Sequence, residues 1–183
     1  MQRFARPLHR LLSPWLVLPL FASAATGMIY RFGRTWFGME KPLGNRILEF
    51  HTGAVLGETF AAVFMGVSGL GLLALTVSGG WLLWRSRAKH GARRWHRVAA
   101  WLMLPPLLAT SVTGLGYHFG EVWFGFEKDT LKLLMSIHQG SWLGPKLRAF
   151  YILLVGGGLL TLLVTGVAML GKKSPASAAP ARD

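Results

Sequence analysis

The chain has 183 residues, 52% of them apolar, and no cysteine. That length suits one domain, and the missing thiols exclude disulfides, iron–sulfur clusters, thiolate zinc sites and covalent c-type haem attachment. The net charge of +13 invites a nucleic-acid partner. The lysines and arginines stand at the ends of apolar runs instead of gathering on one surface, so nucleic acid is set aside and the charge reports membrane topology.

The first apolar run, about Leu8 to Tyr30, begins like a secretory signal and ends near Phe21-Ala22-Ser23-Ala24-Ala25, which resembles a small-residue cleavage site. An equivalent run, Trp95 to Tyr117, lies in mid-chain where no signal can act, so the first run is expected to stay as a helix. An aromatic connection of mixed charge, Arg31 to His51, follows. Within it Leu43 to Phe50, led in by Pro42, predicts a short helix lying at the membrane interface. A second span is expected from about Phe60 to Trp84, closed by the interfacial anchor Trp84-Arg85. The third span, its connection and a fourth span (about Phe150 to Leu170) repeat the plan.

The repetition has a fixed offset. His9 and His96 differ by 87 (96 − 9), and the same shift places His51 on His138, Thr26-Gly27 on Thr113-Gly114 and Tyr30 on Tyr117. It also places Trp36-Phe37-Gly38 on Trp123-Phe124-Gly125, Glu40-Lys41 on Glu127-Lys128 and Gly79 on Gly166. The chain therefore divides into repeat one (1–85), a basic loop (86–94), repeat two (95–173) and a tail (174–183) whose Ser, Pro and Ala predict disorder. The fold class is all-α: a polytopic membrane protein of four transmembrane helices from two tandem two-helix repeats, with short interfacial helices in the connections. Each span is long enough for a bilayer, which takes about 20 residues.

The N-terminal segment, the middle loop and the tail hold 12 of the 20 basic residues and one acid, Asp183. Basic segments stay inside, so both termini are expected in the cytoplasm and both connections outside. His9 and His96 then lie at the cytoplasmic ends of spans one and three, and His51 and His138 on the outer side. Taken singly, an interfacial histidine is a polar anchor. Matched pairs point further, because a parallel repeat brings equivalent residues to one depth on opposite sides of a two-fold axis. His9 would face His96, His51 would face His138, and each pair would offer two imidazoles to one metal. Haem iron suits two such ligands, since the porphyrin supplies the other four, whereas zinc needs more protein ligands than are at hand.

Small residues on the faces that continue from His9 and His96 (Ser23, Gly27; Thr110, Gly114) would leave room for a flat macrocycle, and they equally suit close helix packing. Arg10 and Arg97 are placed to pair with haem propionates, although they also serve topology. His118 matches Arg31 in the repeat, shares a face with His96, and is an alternative outer ligand. Gly69, Gly71, Gly156, Gly157 and Gly158 are expected at tight helix crossings.

Trp95-His96-Arg97 opening a span resembles the PepSY-associated transmembrane helix family. So does His51-Thr52-Gly53-Ala54-Val55-Leu56-Gly57, followed by an apolar run that closes on Trp81-Leu82-Leu83-Trp84-Arg85. The resemblance implies a bacterial inner-membrane protein linked to iron uptake and similar to the membrane part of haem-containing siderophore reductases. It also implies His9, His51, His96 and His138 as ligands. The short connections leave no room for the extracytoplasmic PepSY domains of larger members, so a small electron-transfer subunit is expected in place of a private substrate-binding domain. The expected function is that of a di-haem b-type membrane cytochrome, with two haems b, an unidentified donor inside, and a ferric siderophore or other periplasmic acceptor outside. A cofactor-free membrane scaffold and a small transporter are the other readings left open. At helical rise the separation of His9 from Tyr30 is about 30 Å, long for direct transfer unless the porphyrins extend toward each other or the outer histidines dip into the membrane.

Overall fold

The computed structural model describes residues 2–84 and 90–170. The expected disordered tail and the first part of the basic loop lie outside them. All described elements are helical: α1 (Gln2–Trp36), α2 (Lys41–Thr52), α3 (Glu58–Leu83), α4 (Gly91–Val122), α5 (Lys128–His138) and α6 (Gly144–Leu170), with single 3-10 turns at Ala54–Leu56 and Ser141–Leu143. Four of these are long and apolar enough to cross a membrane, with mean hydropathies of 1.5, 2.1, 1.6 and 2.3 in their best windows. A helix satisfies all its backbone groups within itself, which is what lipid demands.

The long helices overrun the apolar runs that mark them in the sequence. α1 extends through Arg31 to Trp36, because basic and aromatic side chains at a membrane helix's end keep their polar tips in water while the backbone stays helical. α4 starts at Gly91, so the loop expected over 86–94 is shorter: Ala92, Arg93 and Arg94 are good helix formers and belong to the helix. α1 carries Pro7, Pro14 and Pro19, and α4 carries Pro105 and Pro106, without interruption. Neighbouring helices compensate such residues in membrane bundles.

After α1 the chain reverses, and α2 runs back along it. Pro42 sits in the first turn of α2, where a missing N–H costs nothing. Gly53 ends the helix in the left-handed region (φ 79°), a conformation glycine adopts without Cβ strain. Gly140 (φ 66°) closes the corresponding turn after α5.

The four long helices form a ring in which α1 and α4 occupy opposite corners, each packed against both α3 and α6. α2 packs on α1, and α5 packs on α4. The crossings recur 87 residues on. A Cβ added to Gly71 would meet the Leu16 side chain, and one added to Gly158 would meet Met103. Gly69 receives Leu115, while Gly156 receives Met28, so each repeat's helix inserts a knob into the other's. Gly157 departs from expectation: its missing side chain faces open space, so no crossing needs it.

The inward faces of α1 and α4 bury Leu16, Leu20 and Ala24 opposite Met103, Leu107 and Ser111. Val155 and Leu159 of α6 join this cluster. The outward faces leave Trp15 79% and Leu18 78% exposed. Apolar side chains turned outward over such lengths suit a lipid surround.

Candidate cofactor sites at the two ends of the bundle

The structure brings His9 and His96 together near the N-terminal ends of α1 and α4. Their ring centres lie 6.5 Å apart, with the planes at 85°. Each ring is tethered by Nδ1 to a hydroxyl on the neighbouring helix. His9 Nδ1 is 3.0 Å from Ser78 Oγ on α3, and His96 Nδ1 is 2.9 Å from Thr165 Oγ1 on α6. Those hydroxyls already donate their own protons to backbone carbonyls, Ser78 to Ala74 O at 2.6 Å and Thr165 to Thr161 O at 2.7 Å. The oxygens must therefore accept from the imidazoles, which puts the ring proton on Nδ1 and leaves the Nε2 lone pair free.

At the other end His51 lies in the last turn of α2 and His138 closes α5. Here the tethers are backbone carbonyls. His51 Nδ1 donates to Ser23 O at 2.8 Å, and His138 Nδ1 donates to Thr110 O at 3.0 Å. A carbonyl can only accept, so both rings are again protonated at Nδ1 with Nε2 free. Gly27 and Gly114 lie directly under these rings: an added Cβ would stand 3.2 Å from His51 Cε1 and 3.0 Å from His138 Cε1. The small residues expected to make room for a macrocycle thus make room for the imidazoles themselves. Burial holds His51 below the ordinary value of 6.5, and the charge of nearby His138 pushes the same way. Burial likewise lowers His138. Both are neutral at pH 7, the form that ligates metals.

The outer rings sit lower than the ends of α1 suggest. His51 reaches Ser23, which is 14 residues beyond His9 (23 − 9), or about 21 Å at helical rise. The His51 and His138 rings lie along α1 and α4 instead of beyond their ends, because α2 and α5 fold back along those helices.

Between the long helices, at the His9/His96 end, lies a cavity of about 880 Å³ reaching inward to Leu20 and Leu107. That falls within the roughly 300–1,000 Å³ range of cofactor pockets. Its mouth carries Arg6, Arg10, Arg93 and Arg97. Arg10 is exposed, whereas Arg97 is half-buried, and its Nε is buried without a hydrogen-bond partner. His118 packs edge-on against Phe119 with ring centres 4.8 Å apart. Among the described residues no group of three or more metal-ligating side chains comes together, so no third such group joins either pair.

Sequence reasoning passed over Ser78 and Thr165, although both are hydroxyl residues at the offset of 87. It also passed over Arg6 and Arg93, an identical pair at that offset. The Ser23 and Thr110 carbonyls carry no side-chain signal at all.

Two imidazoles with free Nε2 atoms would suit haem iron as the protein's ligands. Two metal–nitrogen bonds of about 2 Å, plus about 1 Å from each nitrogen to its ring centre, span about 6 Å, close to the 6.5 Å between the His9 and His96 ring centres. Tethered Nδ1 atoms are the usual second shell of a ligating histidine. A ring of four long apolar helices with histidine pairs between them defines a multi-pass membrane protein. A model of the PepSY-associated TM region matches residues 38–131, more than half of the chain, and the protein belongs to that family. The matched stretch holds one member of each pair, His51 and His96. No curated protein and no solved structure matches the chain.

Proposed function

We propose that the protein is a b-type membrane cytochrome with two haems, moving electrons from a donor on the side of its basic segments to an acceptor on the opposite face. The observation that carries this reading is the common state of four repeat-matched histidines: each has Nδ1 committed to an oxygen and Nε2 free. His9 and His96 would hold one haem, and His51 and His138 the other. Bound haem supplies one-electron chemistry, with its potential set by axial ligands, hydrogen bonding and burial.

The chain's own groups do the rest. Ser78, Thr165 and the Ser23 and Thr110 carbonyls fix each ring's tautomer and direction. Arg10 and Arg97 would pair with the propionates of the inner group, and the unpartnered Arg97 Nε suits that role. The buried side chains of Leu16, Leu20, Met103 and Leu107 keep water out between the two sites.

The positive-inside rule favours both termini in the cytoplasm, and the family resemblance favours a bacterial inner membrane. The resemblance to siderophore reductases favours a ferric chelate as the outer acceptor. The test is an absorption spectrum of purified protein. It should be red and low-spin, sharpen on dithionite reduction, and lose its haem to acidified acetone. In liposomes with reductant sealed inside, ferrous iron should then appear from a ferric chelate outside. A colourless preparation from haem-replete cells overturns the reading and leaves a cofactor-free membrane scaffold.

A further inference from the structure

Among the positions where the two repeats differ at this end of the bundle, two carry half-buried arginines. Arg31 occupies the position that His118 occupies in repeat two, and Arg148 occupies that of Ala61 in repeat one. Arg31 stands one helical turn beyond Gly27, the residue under the His51 ring. It reaches across to the other repeat, where its Nη2 donates to Gln139 Oε1 at 3.3 Å, beside His138. Its guanidinium carbon lies 5.6 Å from the Tyr30 ring centre. Arg148 lies in the first turns of α6, which meet the same end of α1 where Trp36 packs on Phe150 with ring centres 5.6 Å apart.

Among the described residues no carboxylate forms an ion pair with either arginine: the ion pairs are Arg46–Glu49 and Lys132–Asp129, each within one short helix. Arg148 Nε is buried with no hydrogen-bond partner. Two half-buried guanidiniums at one end of the bundle carry a desolvation cost that a paired anion would offset. Arginine presents a planar fork of donors matched to a carboxylate or phosphate.

We propose that Arg31 and Arg148, with Tyr30 and Gln139 beside them, form a binding site for one oxyanion, a carboxylate or phosphate group, at the outer end of the bundle. Two sources have that chemistry. One is a propionate of the group held by His51 and His138, which rests on the cytochrome reading. The other is the headgroup of an anionic phospholipid. Because the pair exists on one side of the two-fold only, a bound macrocycle would take a single orientation there.

The full chain in lipid nanodiscs distinguishes the sources. With a propionate as ligand, Arg31→Gln and Arg148→Gln each lower the midpoint potential of the haem that His51→Ala removes. The other haem is unchanged, and Arg148→Lys restores most of the shift. With a lipid as ligand, mass spectrometry finds phosphatidylglycerol retained by the native protein from mixed phosphatidylglycerol and phosphatidylcholine. The double variant retains about tenfold less, the equivalent of about 1.4 kcal/mol. If neither midpoint nor lipid retention changes, the site is refuted. A colourless protein would sink the cytochrome reading alone, and lipid retention would then decide this one.

Discussion

The two histidine pairs use one ring chemistry and two kinds of support. At the inner end the imidazoles come from the spanning helices themselves, lean on the Ser78 and Thr165 hydroxyls, and border a wide cavity. At the outer end they come from the short helices α2 and α5 and bond to backbone carbonyls, while glycines face the rings at both ends. Side-chain tethers are removable by substitution. Backbone tethers are not, and they can only be displaced by moving the helix. The inner site is therefore adjustable residue by residue, whereas the outer site is set by the docking of α2 on α1 and α5 on α4.

The largest expected effect separates the two sites outright. His9→Ala and His96→Ala should each remove the same haem and leave the other, and His51→Ala and His138→Ala should together define the second. Haem content per protein and redox titration should then fall into two classes. If His118→Ala abolishes the outer haem while one of the outer pair is dispensable, the outer assignment is wrong.

Tether variants probe the kind of support. Ser78→Ala and Thr165→Ala should weaken the inner site by about 10–100-fold, the usual cost of losing a ligand's hydrogen-bond partner. Ser23→Ala and Thr110→Ala keep the carbonyls that hold the outer rings, so haem binding there should stay near the native value. Dissociation measured by haem transfer to an apo-globin would show the contrast, and equal losses at both ends would erase it.

Glycine substitutions act in the opposite sense. An added Cβ at Gly114 would stand 3.0 Å from His138 Cε1, while one at Gly166 would stand 3.7 Å from His96 Cε1. The first must push the ring or α5 outward, at an overpacking cost of about 1–3 kcal/mol. The second is ordinary contact. Gly114→Ala should thus lower the occupancy and thermal midpoint of the outer site, with Gly166→Ala close to neutral.

The elements differ in how plainly their residues announce them. Four spans were legible because apolar runs of bilayer length have few alternatives, and the offset of 87 tied His9 to His96 and His51 to His138 without any structure. The helix ends were less legible. Arg93, Arg94 and the stretch Arg31 to Trp36 read as loop by polarity, yet their backbones stay helical. The depth of the outer histidines was hidden altogether, since it depends on α2 folding back to Ser23. The Arg31–Arg148 pair was hidden for a related reason: the two are far apart in sequence and match nothing in the repeat.

Acid should sharpen the same comparison by the smallest effect. Burial lowers both outer histidines below 6.5, so the folded protein binds fewer protons there than the unfolded chain does. By linkage these groups give stability that is fully present above 6.5 and is lost as pH falls from 6.5 toward their depressed folded values. Carboxylates titrate mostly below that window. Melting of the full chain in detergent should therefore decline between pH 7.5 and 5. The decline should be shallower in His51→Gln/His138→Gln, where glutamine keeps a polar side chain but takes up no proton. A low melting temperature alone would show only that the variant packs poorly. The informative quantity is the slope, because it reports the protons that burial keeps off the two rings.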